Sequence, residues 1–455
     1  METSAYTQFA FRNSSGLELG KGCPNAELLT KKFPKVSGNI KNLSYSPLGD
    51  LLAWNTNDKL YIYDAHQYKQ LFEISCGTIQ DFEFSPKGSY ISVLERSVKG
   101  EDGVPLPNLI IYSTKDGQKK IEFIQKNPSG WKIQWDNDEQ YLSRMVTNEV
   151  QLFSTSTFST TPAHRMIHQG LTSYSLSPGK NLAIAIFVGE KKGAPAYVRI
   201  YSTPNFKQPL ASKSFYKADR VSFMWNSIGT NLLVMTQTDI DRTGKSYYGE
   251  TNLYFLTVAG NFDCRVDLDK EGPVHDVIWN PNSKEFAVIY GFMPARITLF
   301  DHRASPVHKF GEMSRNLIRF SPQGKFICIG GFGNLAGQMD IWDRNSLKKL
   351  ASVDASGSSY CEWLPDGRYI LTATLSPRLR VDNGYKLWHY TGALAHEQAV
   401  NEMYQIDIRP MSAELFPFGR SPSPPPKAVE STAAKAKPAT KPAGSYIPPH
   451  LRAAA

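Results

Sequence analysis

IRFSPQGKFICIG, residues 318–330, followed by MDIWD at 339–343, carries the pattern that decides the fold. Ile318 and Phe320 flank Arg319, an alternation that puts every second side chain on one face of an extended strand. Pro322 and Gly324 then break the strand. Proline has no ladder hydrogen bond to lose in a turn, and glycine supplies a positive φ. A second apolar strand returns, and a third closes on Trp342-Asp343. Working outward, the same unit recurs as LSYSPLGDLLAWN with LYIYD, FEFSPKGSYISVL with LIIYS, and YSLSPGKNLAIAI with VRIYS. It recurs again as VSFMWNSIGTNLLVM with LYFLT, VIWNPNSKEFAVI with ITLFD, and CEWLPDGRYILTA with YKLWHY. A degenerate copy, WKIQWDNDEQYLSRM with VQLFS, has Asn137 in place of the proline. Successive turn positions lie 39, 51, 41, 49, 54, 41 and 43 residues apart. About 40–45 residues is the period of a four-stranded propeller blade, the longer units carrying loop insertions.

Eight copies fill residues from about 36 to 398. Two strand-like pieces remain, TQFAFRNSSGLELGK at the start and MYQIDIRP at the end. A ring of sheets must seal its edges, and these pieces would do so in one composite blade. The expectation is an all-β, nine-bladed propeller over residues 1–410, with eight blades as the fallback. Each blade is apolar on both faces and stable only between neighbours; Trp342 is an expected buried anchor. Residues 411–455 change character: FGRSPSPPPKAVESTAAKAKPATKPAGSYIPP is rich in Pro, Ala, Ser and Lys and reads as a disordered tail.

Composition bounds the function. The longest greasy run, LAIAIFV at 182–188, is the length of a buried strand and far short of the roughly 20 residues that cross a bilayer. The amino terminus lacks a basic start followed by an apolar segment, so no secretory signal is expected. Cys23, Cys76, Cys264, Cys328 and Cys361 show no pairing rhythm, which fits a reducing compartment. A cytoplasmic monomer with no membrane partner is expected. Net charge is +9, a moderate excess that favours polyanions, of which nucleic acid is the commonest in that compartment.

The unit is WD40-like but irregular. Ile341-Trp342-Asp343 comes close to the signature, and Asp64 and Asp301 close their units in the same way. Only Val274-His275-Asp276-Val277 approaches the usual Gly-His opening. Three stretches narrow the match: NPNSKEFAVIYGFMPARITLFD (280–301), FSPQGKFICIGGFGNLAGQMDIWD (320–343) and TATLSPRLRVDNGYKLWHYTG (372–392). With FAFRNSSGLEL near the start, the sequence resembles the eukaryotic translation initiation factor 2A family, and more distantly the b subunit of initiation factor three. The resemblance implies a nine-bladed propeller that binds the small ribosomal subunit and promotes GTP-independent binding of initiator methionyl-tRNA. It also implies mRNA and other initiation factors as further partners, and a basic, partly helical carboxy-terminal region.

No enzyme is legible. Gly331-Phe-Gly333-Asn-Leu-Ala-Gly337 looks like a dinucleotide fingerprint, but a strand follows it instead of the helix that motif needs. His164 and His168 lack a neighbouring glutamate or a third ligand, and the cysteines form no CxxC, so neither a metal nor a cofactor is expected. Binding candidates are cationic. Arg378 and Arg380 share one loop, where they either meet phosphate or pair with Asp382. Lys191 and Lys192 form an exposed tip, a solvated turn or an RNA contact. Lys31, Lys32, Lys35 and Lys41 surround Phe33, which either stacks on RNA or belongs to the core. Arg315 and Arg319 enter or lie on an inner strand, and Lys435, Lys437 and Lys441 would give the tail a sequence-blind pull on rRNA. Ser421 and Ser423 precede prolines and are phosphorylation candidates. The rival reading is a protein-interaction scaffold with no RNA contact.

Overall fold

A computed structural model describes residues 5–191, 193–239, 249–418 and 424–426. Among them are nine antiparallel sheets and no α-helix, only the 3-10 turns Pro128–Gly130 and Ala413–Leu415. Eight sheets are four-stranded meanders over residues 42–75, 79–123, 134–167, 171–215, 220–265, 274–313, 317–354 and 360–399, here blades 2 to 9. Blade 1 is composite. Gln8–Asn13 pairs with Gly16–Lys21 on one side and with Gln405–Ile408 on the other, in the register Phe9↔Ile408 and Phe11↔Ile406. The two ends of the sequence thus close the ring, and nine blades is the observed number.

The first strand of each blade lies innermost, touching the first strand of its neighbour. Middle strands such as Ala183–Val188 and Glu285–Tyr290 are buried along their whole length. Outer strands such as Lys69–Ser75 and Lys349–Asp354 are mostly exposed. Cores form between blades: Ala53, Leu60 and Ile62 of blade 2 meet Phe82, Phe84 and Ile91 of blade 3. Trp54 is fully buried, whereas Trp342 is only partly covered, against Phe310 at 5.0 Å between ring centroids. Trp342 is therefore a lesser anchor than its place in the signature suggests.

Inner strands are stitched across the blade boundaries. Gln405 accepts from the Leu43 N–H and donates to the Leu43 carbonyl, and Gln134 does the same with Leu176 and Tyr174. Trp279 and Trp363 donate indole N–H groups to the Met224 and Arg319 carbonyls of the preceding blades. These side chains satisfy strand-edge backbone that would otherwise stay unpaired.

The turns between first and second strands form a second ring. Gly229, at φ +70°, leaves room for a Cβ only 1.7 Å from the Pro178 carbonyl of blade 5, so glycine meets both a backbone and a packing demand. Blades 4 and 7 lack that glycine. Glu139 (φ 58°) and Ser283 (φ 59°) adopt the left-handed conformation and bond neighbouring turns instead. Glu139 accepts from Ser85 Oγ and the Lys87 N–H, and Ser283 Oγ meets Ser227 Oγ at 2.6 Å. The degenerate turn of blade 4 thus keeps the same job with different chemistry.

The closing aspartates cap local turns. Asp64 accepts from the His66 and Gln67 N–H groups, Asp301 from those of Arg303 and Ser305, and Asp343 from that of Ser346. His275 reaches the Gly291 carbonyl rather than an aspartate.

Candidate nucleic-acid interface

A four-stranded meander sends its second-to-third loops, and the links between blades, to one end of the ring. The turns described above lie at the other end. Lys31, Lys32 and Lys35 lie on the outer edge of blade 1, between Glu27–Leu28 and Val36–Ser37, Lys191 on the long loop of blade 5, and Arg378 and Arg380 on that of blade 9. Lys35, Lys191, Arg378 and Arg380 fall at the loop end, whereas Lys32 lies over Tyr6, next to Tyr68, towards the turn end. Arg378 donates to Asn334 Oδ1 at 2.7 Å, in the glycine-rich loop of blade 8, and neither arginine pairs with Asp382. That glycine-rich loop leads into the strand Gln338–Asp343, so it has no helix to hold a pyrophosphate.

Other candidates are committed elsewhere. Arg315 is buried and donates Nε and Nη2 to Asp340 Oδ2, at 3.2 and 2.7 Å. Arg319 is held between Asp276 (2.9 Å) and Glu362 (3.0 Å). Burial pulls its pKa down, and the two carboxylates more than restore it. Burial in turn pushes Glu362 up, against the pull of Arg319. Both arginines are corrections to the sequence reading: Arg319 ties blade 8 to blades 7 and 9, Arg315 is pinned to blade 8 by Asp340, and neither offers a free guanidinium. Phe33 is core, 4% exposed against Trp54, Tyr63 and Tyr68, which leaves the lysines around it as the exposed part of that edge. Lys35 bonds Glu18 at 2.8 Å, and Lys32 lies over the Tyr6 ring at 5.4 Å. Lys192, Lys435, Lys437, Lys441, Ser421 and Ser423 lie outside the described residues.

The structure adds cations that sequence reading missed. Arg12 is half-buried and donates only to neutral acceptors, Gln405 Oε1 at 2.9 Å and the Ile40 carbonyl at 3.1 Å. Arg144 reaches the Ile124 carbonyl and Gln125 Oε1, lies over Phe123 at 4.6 Å, and has a buried Nε without an acceptor. Burial lowers the pKa of both, and neither faces a carboxylate. Exposed Arg96, Lys99 and Lys126 occupy the loops of blade 3 and its link to blade 4. None of these five enters an ion pair among the described residues. The only early signal was an arginine inside an otherwise apolar strand, FAFRN.

The loop end carries both signs, and pairing differs around it. Blades 9, 1, 2, 3 and 4 carry Arg378, Arg380, Arg12, Lys41, Arg96, Lys99, Lys126 and Arg144, none in an ion pair among the described residues, beside the exposed acids Asp58, Glu101, Asp102, Asp382 and Glu402. Blades 6 and 7 carry Asp219, Asp239, Glu250, Asp267, Asp269 and Glu271, with Lys217, Arg220, Arg296 and Lys309 paired to three of them. There Asp269 is tied to Arg296, Lys309 and Tyr290, which hold its carboxyl well below the usual range. Lys191 stands outside the basic arc. No three His, Cys, Asp or Glu side chains among the described residues converge as a metal site.

A family model described as eukaryotic translation initiation factor eIF2A matches residues 213–406. Eukaryotic translation initiation factor 2A of Schizosaccharomyces pombe is 44% identical over 99% of this chain and 79% of its own length. The chain belongs to the eukaryotic translation initiation factor 2A family. A solved structure described as a eukaryotic initiation factor superposes with a TM-score of 0.82 at 42% identity, covering 89% of this chain and 99% of its own. Eukaryotic translation initiation factor 2A of Caenorhabditis elegans is 31% identical over 98% of this chain and 82% of its length. For this factor 2A family member the rigid ring is the scaffold, and the basic arc is its candidate working surface.

Proposed function

We propose that this initiation factor docks its basic arc on RNA of the small ribosomal subunit and helps place initiator methionyl-tRNA there without GTP. It works by binding rather than covalent chemistry, in the cytoplasm, alongside mRNA and other initiation factors. The supporting observation is a set of loop-end guanidiniums, Arg12, Arg144 and Arg378, that donate to neutral acceptors and enter no ion pair among the described residues. Phosphate suits them because the planar guanidinium matches its oxygens two at a time. Contacts are spread over several blades, so no single Lys→Ala change abolishes binding.

Sedimentation with purified small subunits, with and without initiator tRNA, across a salt series tests this. Phosphate contacts make log affinity fall with log salt by roughly 0.7–0.9 per contact, while an apolar protein interface barely responds. Arg378→Glu with Arg380→Glu should weaken association and flatten the slope. Unchanged association in that variant, or a flat slope in the wild type, would favour the protein-scaffold reading.

A further inference from the structure

A pocket of about 270 Å³ opens at the loop end between blade 9 and blade 1. Leu28 and Val400 form its apolar part above the buried Phe11, and Glu18, Gln398 and Asn401 its polar part. The Glu18 side chain is 14% exposed, and its contacts are lopsided. Asn13 Nδ2 (3.0 Å) and Lys35 Nζ (2.8 Å) both go to Oε1, while Oε2 accepts from none of the described residues. A carboxylate has about four acceptor sites, so Glu18 is anchored by one oxygen and open at the other.

The pocket also sits inside the basic arc. Val400 N–H bonds the Asn383 carbonyl, and Ser376 N–H the Met403 carbonyl, which ties the pocket wall to the loop bearing Arg378 and Arg380. Lys35 borders the other side. An occupant must therefore be anionic outside and present N–H donors inside. A cationic peptide meets the carboxylate but is repelled by the rim.

We propose that this pocket takes an unpaired guanine of single-stranded RNA, its N1–H and N2–H facing Glu18 and its flanking phosphates facing the arginines and Lys35 of the rim. Guanine alone among the four bases offers two adjacent N–H donors on its Watson–Crick edge, and unstacked bases are how proteins read RNA sequence. Apolar surface at Leu28 and Val400 covers the base. The inference rests on RNA being the partner of the arc, and it assigns the arc a point of sequence preference.

Fluorescence anisotropy of the full chain with labelled pentamers UUGUU, UUAUU, UUCUU and UUUUU tests it. The guanine pentamer should bind about tenfold more tightly than the adenine one. Glu18→Gln should erase that preference, with UUUUU bound no more weakly than by the wild type, because Lys35 loses its partner. Ser14→Trp, which fills the mouth without touching Glu18, should erase the preference too, and thermal unfolding of both variants checks that the ring persists. Equal affinity for all four pentamers in the wild type overturns the proposal, as does a preference that survives both variants or displacement by an arginine peptide. Small subunits bound with a steep salt slope but no base preference would sink the guanine pocket alone. Failure to bind subunits and every pentamer would sink the RNA reading with it.

Discussion

The two ends of this ring are built from the same strands and put their side chains to opposite use. At the turn end four of the turns are hydrogen-bonded to a neighbouring one. Arg409 donates to the Gly49 carbonyl, Glu139 accepts from the Lys87 N–H, Ser283 meets Ser227, and Gln323 donates to the Pro365 carbonyl. At the loop end the cations of blades 9 to 4 largely lack anionic partners. The contrast shows a division of labour: one end fixes the blades relative to one another, and the other can hold costly, unpaired charge on a frame that does not move.

The largest effect should come where that division is easiest to misread. Phe33 stands among Lys31, Lys32 and Lys35 yet faces inward onto Trp54. Phe33→Ala should cost roughly 3–4 kcal/mol in denaturant unfolding, and loosening that edge should also weaken polyanion binding. A stable variant with weakened binding only would return Phe33 to the working surface. In the turn between the first two strands of blade 6, Gly229→Ala combines a left-handed φ with a Cβ 1.7 Å from a carbonyl oxygen. It should cost about 1–3 kcal/mol and leave the salt slope of RNA binding intact.

The same contrast explains what the sequence disclosed. Blade number, strand order and ring closure were legible because alternation and turn residues are local, and the ring repeats them. Glu139 and Ser283 broke the Pro-x-Gly pattern but not the fold, since a side-chain hydrogen bond replaced what glycine did by shape. The site was less legible. Arg315 and Arg378 look alike in sequence, and only the approach of Asp340 from a distant strand separates a buried brace from an exposed cation. Arg12 and Arg144 were missed for the converse reason: what marks them is the absence of a carboxylate, a property of three-dimensional surroundings.

A smaller effect probes the inner strands. Burial pushes the Asp407 carboxyl up to about 6, although it accepts from the Tyr45 N–H at 2.8 Å. The folded chain then holds a proton that the unfolded chain has released above about pH 4. More protons bound in the native state means that stability falls as pH rises from about 4 to 6. Asp407→Asn keeps an acceptor for Tyr45 and removes the charge. It should gain roughly 1–2 kcal/mol above pH 6 and flatten part of the slope. Asp366, also near 6 through burial, and Glu362 and Asp136, raised by burial, contribute to the remainder. A loss of stability at pH 7 would mean that the carboxylate is needed as an anion.

The smallest effect on stability should accompany a clear effect on binding. Arg96 and Lys99 are exposed on the loop of blade 3, and neither pairs with a carboxylate among the described residues. Arg96→Glu with Lys99→Glu should move unfolding by less than about 0.5 kcal/mol. The same pair should lower the slope of log affinity against log salt by about two contacts' worth. Equal reversals at Lys213 and Lys309, which already pair with Asp263 and Asp269, should leave that slope where it was. Unpaired cations at the loop end can bind phosphate without first breaking an internal bond, whereas paired ones must give up a partner. If both double variants flattened the slope equally, total charge rather than the basic arc would govern attraction, and the contrast between the two ends would lose its functional half.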